Sequence, residues 1–379
     1  MIVLGLMSGT SADGIDSALV EFHGHPSKPR WKLLNVYSLK YESSLRDLII
    51  KVGQGMKVDS ASWASLSEAI TEVHAQAAFG CDPDRQAQIV GCHGQTVYHR
   101  PPEKNKRGAS LQLISAELLA NLLRSPVIHD FRSADMALQG HGAPLVPLTD
   151  QALLGRIGGW RALLNLGGIS NITLIPPKFG PDFICPVMGW DCGPANSLID
   201  LAMEKITDGA FSFDRDGLMA SSGTPDALVI NQWLQESFFQ TSPPKSSGRE
   251  KFGLNDLQKR LRDLMNQSNE NIMATLTTFT AAIIEQEFNI LYQKSLVFPI
   301  ELILAGGGCR NQYMIKQIAN RCKGLIVRSI EDFGIPIQAR EALSFALLAW
   351  WHIKEFPGNS TYVTGAAKSI VLGMKARAK

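Results

Sequence analysis

MIVLGLMSGTSADGIDSALVEF, residues 1–22, sets an apolar run, a turn rich in glycine and hydroxyls, and a second apolar run in close order. The pattern reads as two strands joined at a glycine turn, with WKLLNVYSLKY (31–41) continuing as a third. The same design returns at residues 160–176, WRALLNLGGISNITLIP, where glycines and an Asn/Ser pair again sit between apolar strands. A third glycine turn, AGGGCRN (305–311), follows the strand-like IELILA and opens into a helical pattern. Identity between the repeats is weak, but the repeated order points to two related halves.

Around these turns, short apolar runs alternate with longer amphipathic segments, which is an α/β pattern. SLRDLIIKVGQG (44–55) and DSASWASLSEAITEVHAQAAFG (59–80) read as helices, the second starting from an Asp or Ser cap. QIVGCHGQTVYH (88–99) reads as a buried strand running into a polar turn, SLQLISAELLANLLR (110–124) as a helix, and PVIHDFR (126–132) as a strand. The last major helix is AREALSFALLAWWHIKEF, 339–356. FFQTSPPKSSGREKFGLNDL (238–257) mixes Pro, Ser, Gly and charge and reads as a long exposed loop.

Composition narrows the function classes. At 379 residues, two domains are expected from roughly 100–200 residues each. The net charge of +2 supplies no basic field, so nucleic acid is not the expected partner. The six cysteines form no Cys-x-x-Cys pair and no zinc-finger spacing, which suits reduced thiols in a cytoplasmic protein. Cys309, in a glycine-rich loop, is the one to watch for reactivity. No targeting segment or long apolar run is visible, so membrane association is not expected.

The chemistry-bearing residues gather at the turns. Gly9 to Asp16 supplies glycines and hydroxyls that let backbone N–H groups approach an anion. Asp13 and Asp16 beside them make sense if Mg²⁺ sits between acids and phosphate. The segment is neither a Walker A loop nor a Gly-x-Gly-x-x-Gly fingerprint, and alone it is equally a tight hairpin with Asx turns. Three such turns at strand ends are stronger: two could clamp a polyphosphate and the third admit a flat base. GCHGQTVYHRP (91–101) offers Gln95 and Thr96 to sugar hydroxyls, with His93 as a base or a structural imidazole. Arg132 reads either as a bidentate grip on a carboxylate or as the ion-pair partner of Asp135. In GWDCGPANSLID (189–200), Asp191 precedes a Gly-Pro turn and a helix starting near Asn196. A phosphoryl-transfer or hydrolytic site needs a base on rigid scaffolding, and Asn196 and Ser197 are better placed to cap the helix. Glu341 opens the last helix, where the dipole favours an acid.

Taken together, GLMSGTSADGIDSALV, GCHGQT, DFRSADMALQGHGAPLVP, NLGGISN, WDCGPANSLID, FDRDG, PKSSGRE, AGGG with Asn311, and EALSFALLA resemble the anhydro-N-acetylmuramic acid kinase family nearly end to end. That family lies in the actin/sugar-kinase/heat-shock chaperone superfamily. The resemblance implies two ribonuclease-H-like (actin-like ATPase) domains with mixed five-stranded sheets flanked by helices and an interdomain active site. The expected division is 1–128 plus 344–379 against 129–343, with a hinge near 128 and 343. It implies ATP with Mg²⁺ and a sugar substrate whose anhydro bond is opened by water as O6 is phosphorylated, in peptidoglycan recycling. By similarity Asp191 is the catalytic base, with Glu341 beside it. Gly9, Thr10, Ser11, Ala12, Asp13, Gly14, Ile15 and Asp16 form the ATP turn, joined by Gly167, Gly168, Asn171, Gly306, Gly307 and Gly308. Gln95, Thr96, Arg132, Asp191 and Glu341 are the substrate contacts, Asp13 and Asp16 the metal's acids. A homodimer is a family-level expectation. The sequence departs from the family at Cys192, where Thr is usual, at Ala195, where Gly is usual, and at His141, where Gln is more usual. Two other readings are a kinase of the same superfamily for a different sugar and a non-catalytic actin-like ATP-binding regulator.

Overall fold

The first apolar runs pair as the alternation requires. The computed structural model describes residues 1–378 apart from 104–105, 244, 249–250 and 296. In it the chain forms two compact units, residues 1–154 with 334–379 and residues 155–333.

In the first unit, β1 (Ile2–Ser8), β2 (Gly14–His25) and β3 (Lys28–Lys40) make an antiparallel meander. The strands β4 (Ile89–Arg100) and β6 (Val127–His129) then run parallel to β1, while β5 (Ala109–Leu113) pairs back on β4. The second unit repeats this. Its meander is β7 (Arg161–Leu166), β8 (Ile169–Ile175) and β9 (Met188–Pro194), and β10 (Glu301–Ala305) and β11 (Ile326–Ser329) run parallel to β7. The shared order, β3-β2-β1-β4-β6 and β9-β8-β7-β10-β11, is the mixed five-stranded sheet of related halves. The first sheet gains two strands beyond the expected five: β5, and β12 (Met374–Ala376) antiparallel to β6.

Two strand expectations need correcting. Residues 109–113 are strand and only Ala116–Leu123 is helix, because cross-strand pairing with Gln95 to Arg100 overrides the helical look of SLQLI. Correspondingly, the expected polar turn after GCHG is still strand as far as Arg100.

The boundaries also differ from those expected. The chain leaves the first unit at Leu154 and returns at Gly334, not at 128 and 343. The strand β6 lies between β4 and β12, so residues 127–129 belong to the first sheet. Asp135 is fully buried and accepts from Asn359 Nδ2 at 2.7 Å, Thr364 Oγ1 at 2.6 Å and the Gly142 N–H at 2.8 Å. Asp150, on the helix Val146–Leu154, takes the Arg340 guanidinium at 3.1 and 2.5 Å. These buried contacts tie residues 130–154 to the C-terminal segment.

The helix Arg340–Ile353 packs on β1 and β4. Its backbone comes so close that a Cβ at Gly5 would overlap the Ala342 carbonyl, and one at Gly91 would overlap that of Phe345. Glycine on two adjacent strands therefore seats the helix and fixes where its first turn lies. Among the described residues, no helix is long and apolar enough to cross a membrane.

Candidate functional site

In the first unit, polar groups collect where β1 ends and the helix Arg340–Ile353 begins, beside the middle of β4. Ser8 Oγ lies 2.6 Å from Gln95 Oε1 and 2.9 Å from the Gly14 carbonyl, and the Tyr41 hydroxyl donates to it at 3.3 Å. Gln95 Nε2 donates to the carbonyls of Gly9 at 2.9 Å and Thr96 at 3.1 Å. Gln95 is fully enclosed, so its amide fixes the Gly9 turn rather than facing open solvent. Thr96 is nearly buried and its hydroxyl accepts from Gln112 Nε2 at 3.4 Å.

The turn itself runs from Gly9 to Asp13, closed by the Ala12 N–H on the Gly9 carbonyl at 3.1 Å. Ala12 and Ile15 turn their side chains into the core, which leaves backbone as their contribution to any ligand. Gly9, Thr10, Ser11 and Gly14 stay at or near the surface. Asp13 is exposed and paired with Arg46 at 3.1 Å. Asp16 accepts from Ser38 Oγ at 2.5 Å, and burial, then the neighbouring Asp13, raise its pKa against the lowering effect of Ser38.

Arg132 is not paired with Asp135. Its Nε–H and Nη2–H donate to His93 Nε2 at 3.2 and 2.9 Å. His93 Nδ1 faces the Gly94 carbonyl at 2.9 Å, so the proton sits on Nδ1 and Nε2 is the acceptor. Burial first, then Arg132, press the His93 pKa down to about 3. The imidazole is thus a neutral prop for Arg132, not a base. Burial also pushes Arg132 down to about 10, against the pull of Glu341. Glu341 starts the helix Arg340–Ile353 and faces this cluster. Its pKa is raised, by burial first and by Asp16 and Asp150, while Arg340 and Arg132 act the other way.

The second unit carries Asp191, on β9 opposite Asn171 of β8 rather than at the mouth of the turn. Its Oδ2 accepts from Ser246 Oγ at 3.0 Å and the Ser247 N–H at 2.9 Å. The helix Asn196–Ile206 has Ala195 at its cap, not Asn196 or Ser197. The N–H groups of Ala195 and Ser197 donate to the Gly168 carbonyl, and that of Asn196 to Gly167. The Asn196 side chain also donates to the carbonyls of Leu166 at 3.1 Å and Gly167 at 2.8 Å. A glycine turn thus takes the place of a side-chain cap, and Ser197 is enclosed with no hydroxyl partner among the described residues. The Gly306–Gly308 turn lies beside the same segment. A Cβ on Gly306, at φ +85°, would come within 2.9 Å of Asn165 Oδ1 and the Leu166 carbonyl. Gly167, Gly168 and Gly306–Gly308 therefore gather at the ends of adjacent strands, with Asn171 on β8 opposite Asn165.

The segment 238–257 is not simply an exposed loop. Phe239 and Phe252 are buried, Ser237–Gln240 and Leu254–Asp263 are helices, and Lys245 is almost fully enclosed. Pro244, Arg249 and Glu250 of PKSSGRE lie outside the described residues. Cys309 is buried with its thiol pushed up to about 12 by burial, which removes it as a reactive group at neutral pH. The departures resolve locally. Cys192 is fully buried with a raised thiol pKa, and Ala195 is buried at the helix start.

Sequence reading missed His93 as the prop for Arg132, Tyr41 and Ser8 under the Gly9 turn, and Lys245 to Ser247 around Asp191. His93 and Arg132 are 39 residues apart, and Ser246 and Asp191 are 55 apart, so no local pattern announces either contact.

The family model described as anhydro-N-acetylmuramic acid kinase matches residues 1–378. A protein of that description from Prochlorococcus marinus (strain MIT 9313) is 57% identical over 376 residues, covering 99% of each chain. Another, from Prochlorococcus marinus (strain MIT 9303), is 58% identical over 376 residues at the same coverage. A third, from Synechococcus sp. (strain WH7803), is 54% identical over 383 residues, again covering 99% of each.

Proposed function

The chain belongs to the anhydro-N-acetylmuramic acid kinase family, and from that premise we propose that it opens 1,6-anhydro-N-acetylmuramic acid with water and phosphorylates O6 at the expense of ATP. The water oxygen bonds to the anomeric carbon, the bond from that carbon to O6 breaks, and O6 takes the γ-phosphoryl group as ADP leaves. The products are N-acetylmuramic acid 6-phosphate and ADP, and the setting is recycling of peptidoglycan fragments. The reading includes a cytoplasmic location, where ATP is at hand, and a homodimer as the assembly.

The observation that carries it is Asp191, a carboxylate fixed on a strand with Ser246 and Ser247 donating to one of its oxygens. In this role it removes the water's proton as the oxygen attacks. Arg132, propped by His93, and Thr96 bind and orient the sugar, and Glu341 acts beside Arg132. Gln95 serves through the Gly9 turn that it holds. Backbone N–H groups of the three glycine turns and the hydroxyls of Thr10 and Ser11 receive the nucleotide.

Mg²⁺ fits the first unit's acids. Asp16 and Glu341 both have raised pKa values, Asp13 adds to the shift at Asp16, and Asp16 adds to that at Glu341, a repulsion that a cation relieves. Asp13 is engaged with Arg46, so Asp16 is the better ligand of the two acids expected. Among the described residues no group of three or more His, Cys, Asp or Glu gathers, so an ion here takes most of its ligands from water and phosphate. When bound it would neutralise charge on the transferring phosphoryl group.

The test is Asp191→Asn. It should abolish sugar phosphorylation while ATP still binds by calorimetry. Substantial residual turnover removes Asp191 from the role of base.

A further inference from the structure

Behind β9 lies a buried ion pair that the reaction as described does not use. Lys245 Nζ sits 2.5 Å from Glu287 Oε1, with the side chains 4% and 1% exposed. Glu287 comes from the long helix Asn269–Ser295, and its other oxygen accepts from Trp190 Nε1 at 2.9 Å. Lys245 Nζ also donates to the Phe238 carbonyl at 3.0 Å and lies over the Phe238 ring, 4.8 Å from its centroid. Such a pair carries a large desolvation cost, and stability alone is a weak reason to bury one.

Its neighbours suggest what else it does. The Lys245 carbonyl accepts the Asp191 N–H at 3.0 Å, so the loop joins β9 along its edge. The next two residues, Ser246 and Ser247, supply the donors to Asp191 Oδ2. Trp190 and Asp191 are consecutive and point to opposite faces of the strand. Glu287 therefore holds the strand through Trp190 on one face and the loop through Lys245, while that loop holds Asp191 on the other.

We propose that Lys245 and Glu287 are positioning residues: their ion pair clamps the 245–247 segment around β9 so that Ser246 and Ser247 fix the Asp191 carboxylate. The inference rests on Asp191 being the base. It assigns the clamp two tasks. One is orientation, since two donors on a single oxygen restrict the carboxylate's rotation. The other is to favour the ionised form, since hydrogen bonds to a carboxylate lower its pKa. The titratable groups packed around the Cys192 thiol of this strand include Lys245, Glu287 and Asp191. Cys192 feels all three of the others, and its raised pKa keeps it neutral.

The experiment is the pH profile of kcat for sugar phosphorylation in Lys245→Ala, Glu287→Gln and Ser246→Ala, beside Asp191→Asn. Glu287→Gln keeps the side chain's size and an oxygen for Trp190 but leaves Lys245 buried without its counter-charge, so Ser246→Ala, at the protein surface, keeps the proposal testable if the pair variants do not fold. Loss of a donor should move the acid limb of kcat upward in Ser246→Ala, by up to about one pH unit, while Glu287→Gln, which also leaves the Lys245 cation uncompensated, is read in kcat at neutral pH. kcat at neutral pH should fall by about tenfold or more in Glu287→Gln while the KM for ATP stays put. A purely structural pair would lower the melting temperature without moving the limb. An unmoved limb with wild-type kcat in both Glu287→Gln and Ser246→Ala overturns the clamp. Retained turnover in Asp191→Asn instead overturns the base assignment, so the two failures are distinct.

Discussion

Replacing His93 with Leu tests whether Arg132 owes its place to the imidazole. His93 Nε2 is the acceptor for two Arg132 donors, at 3.2 and 2.9 Å, and Nδ1 is committed to Gly94. Leucine fills similar space but leaves a largely desolvated guanidinium without that acceptor. A hydrogen bond to a charged donor is worth about 1.5–3 kcal/mol. Both donors share one lone pair here, so a single bond's worth, about 2 kcal/mol or roughly 30-fold, is the expected penalty. It should appear in the KM for the sugar, measured by coupled ADP release, with the KM for ATP little changed. His93→Gln offers a carbonyl oxygen in place of Nε2 and should recover much of the loss. Because the pKa of His93 is pressed down to about 3, the effect should be flat across roughly pH 5 to 8. A wild-type KM for the sugar in His93→Leu, or an equal loss in His93→Gln, refutes the reasoning.

Two further outcomes follow from the same unit. Gly91→Ala places a methyl on the Phe345 carbonyl, so it should destabilise the protein by about 1–3 kcal/mol in urea titration and weaken catalysis by moving Glu341. His74 is fully buried, bonds only Ile70 among the described residues, and has its pKa driven by burial down to about 4. Its folded pKa is below the unfolded value of 6.5, so the unfolded state binds more protons between the two, and stability falls as pH drops through that window. His74→Asn should flatten the slope of stability between pH 6.5 and 4 by about 1.4 kcal/mol per pH unit, and an unchanged slope in parallel melts contradicts the assignment.

Much of the fold could be read because its signals are local. Short apolar runs marked β1, β2, β7 and β8, Asp59 capped the helix Ser60–Cys81 through Ala61 and Ser62, and each glycine turn fell at a strand end. What failed depended on distant partners. SLQLI looked helical by composition, and only pairing with β4 makes it a strand. The boundary near 128 looked natural until buried Asp135 and Asp150 were seen tied to Asn359, Thr364 and Arg340. In the candidate site, residue type and motif point to Asp191, Arg132 and Glu341 as candidates. Their supports did not show, because His93, Lys245 and Glu287 reach their partners across long stretches of chain. Asn196 stands where a helix cap is expected, yet its amide is spent on the Leu166 and Gly167 carbonyls.

The central claim is that one turnover both opens a ring with water and transfers phosphate. The measurement is incubation of the protein with ATP, Mg²⁺ and 1,6-anhydro-N-acetylmuramic acid in ¹⁸O-water, with the product read by mass spectrometry and NMR. The account predicts one ¹⁸O at the anomeric hydroxyl and phosphate on O6. Phosphorylated sugar without the label, the result of an ordinary sugar kinase, would contradict it.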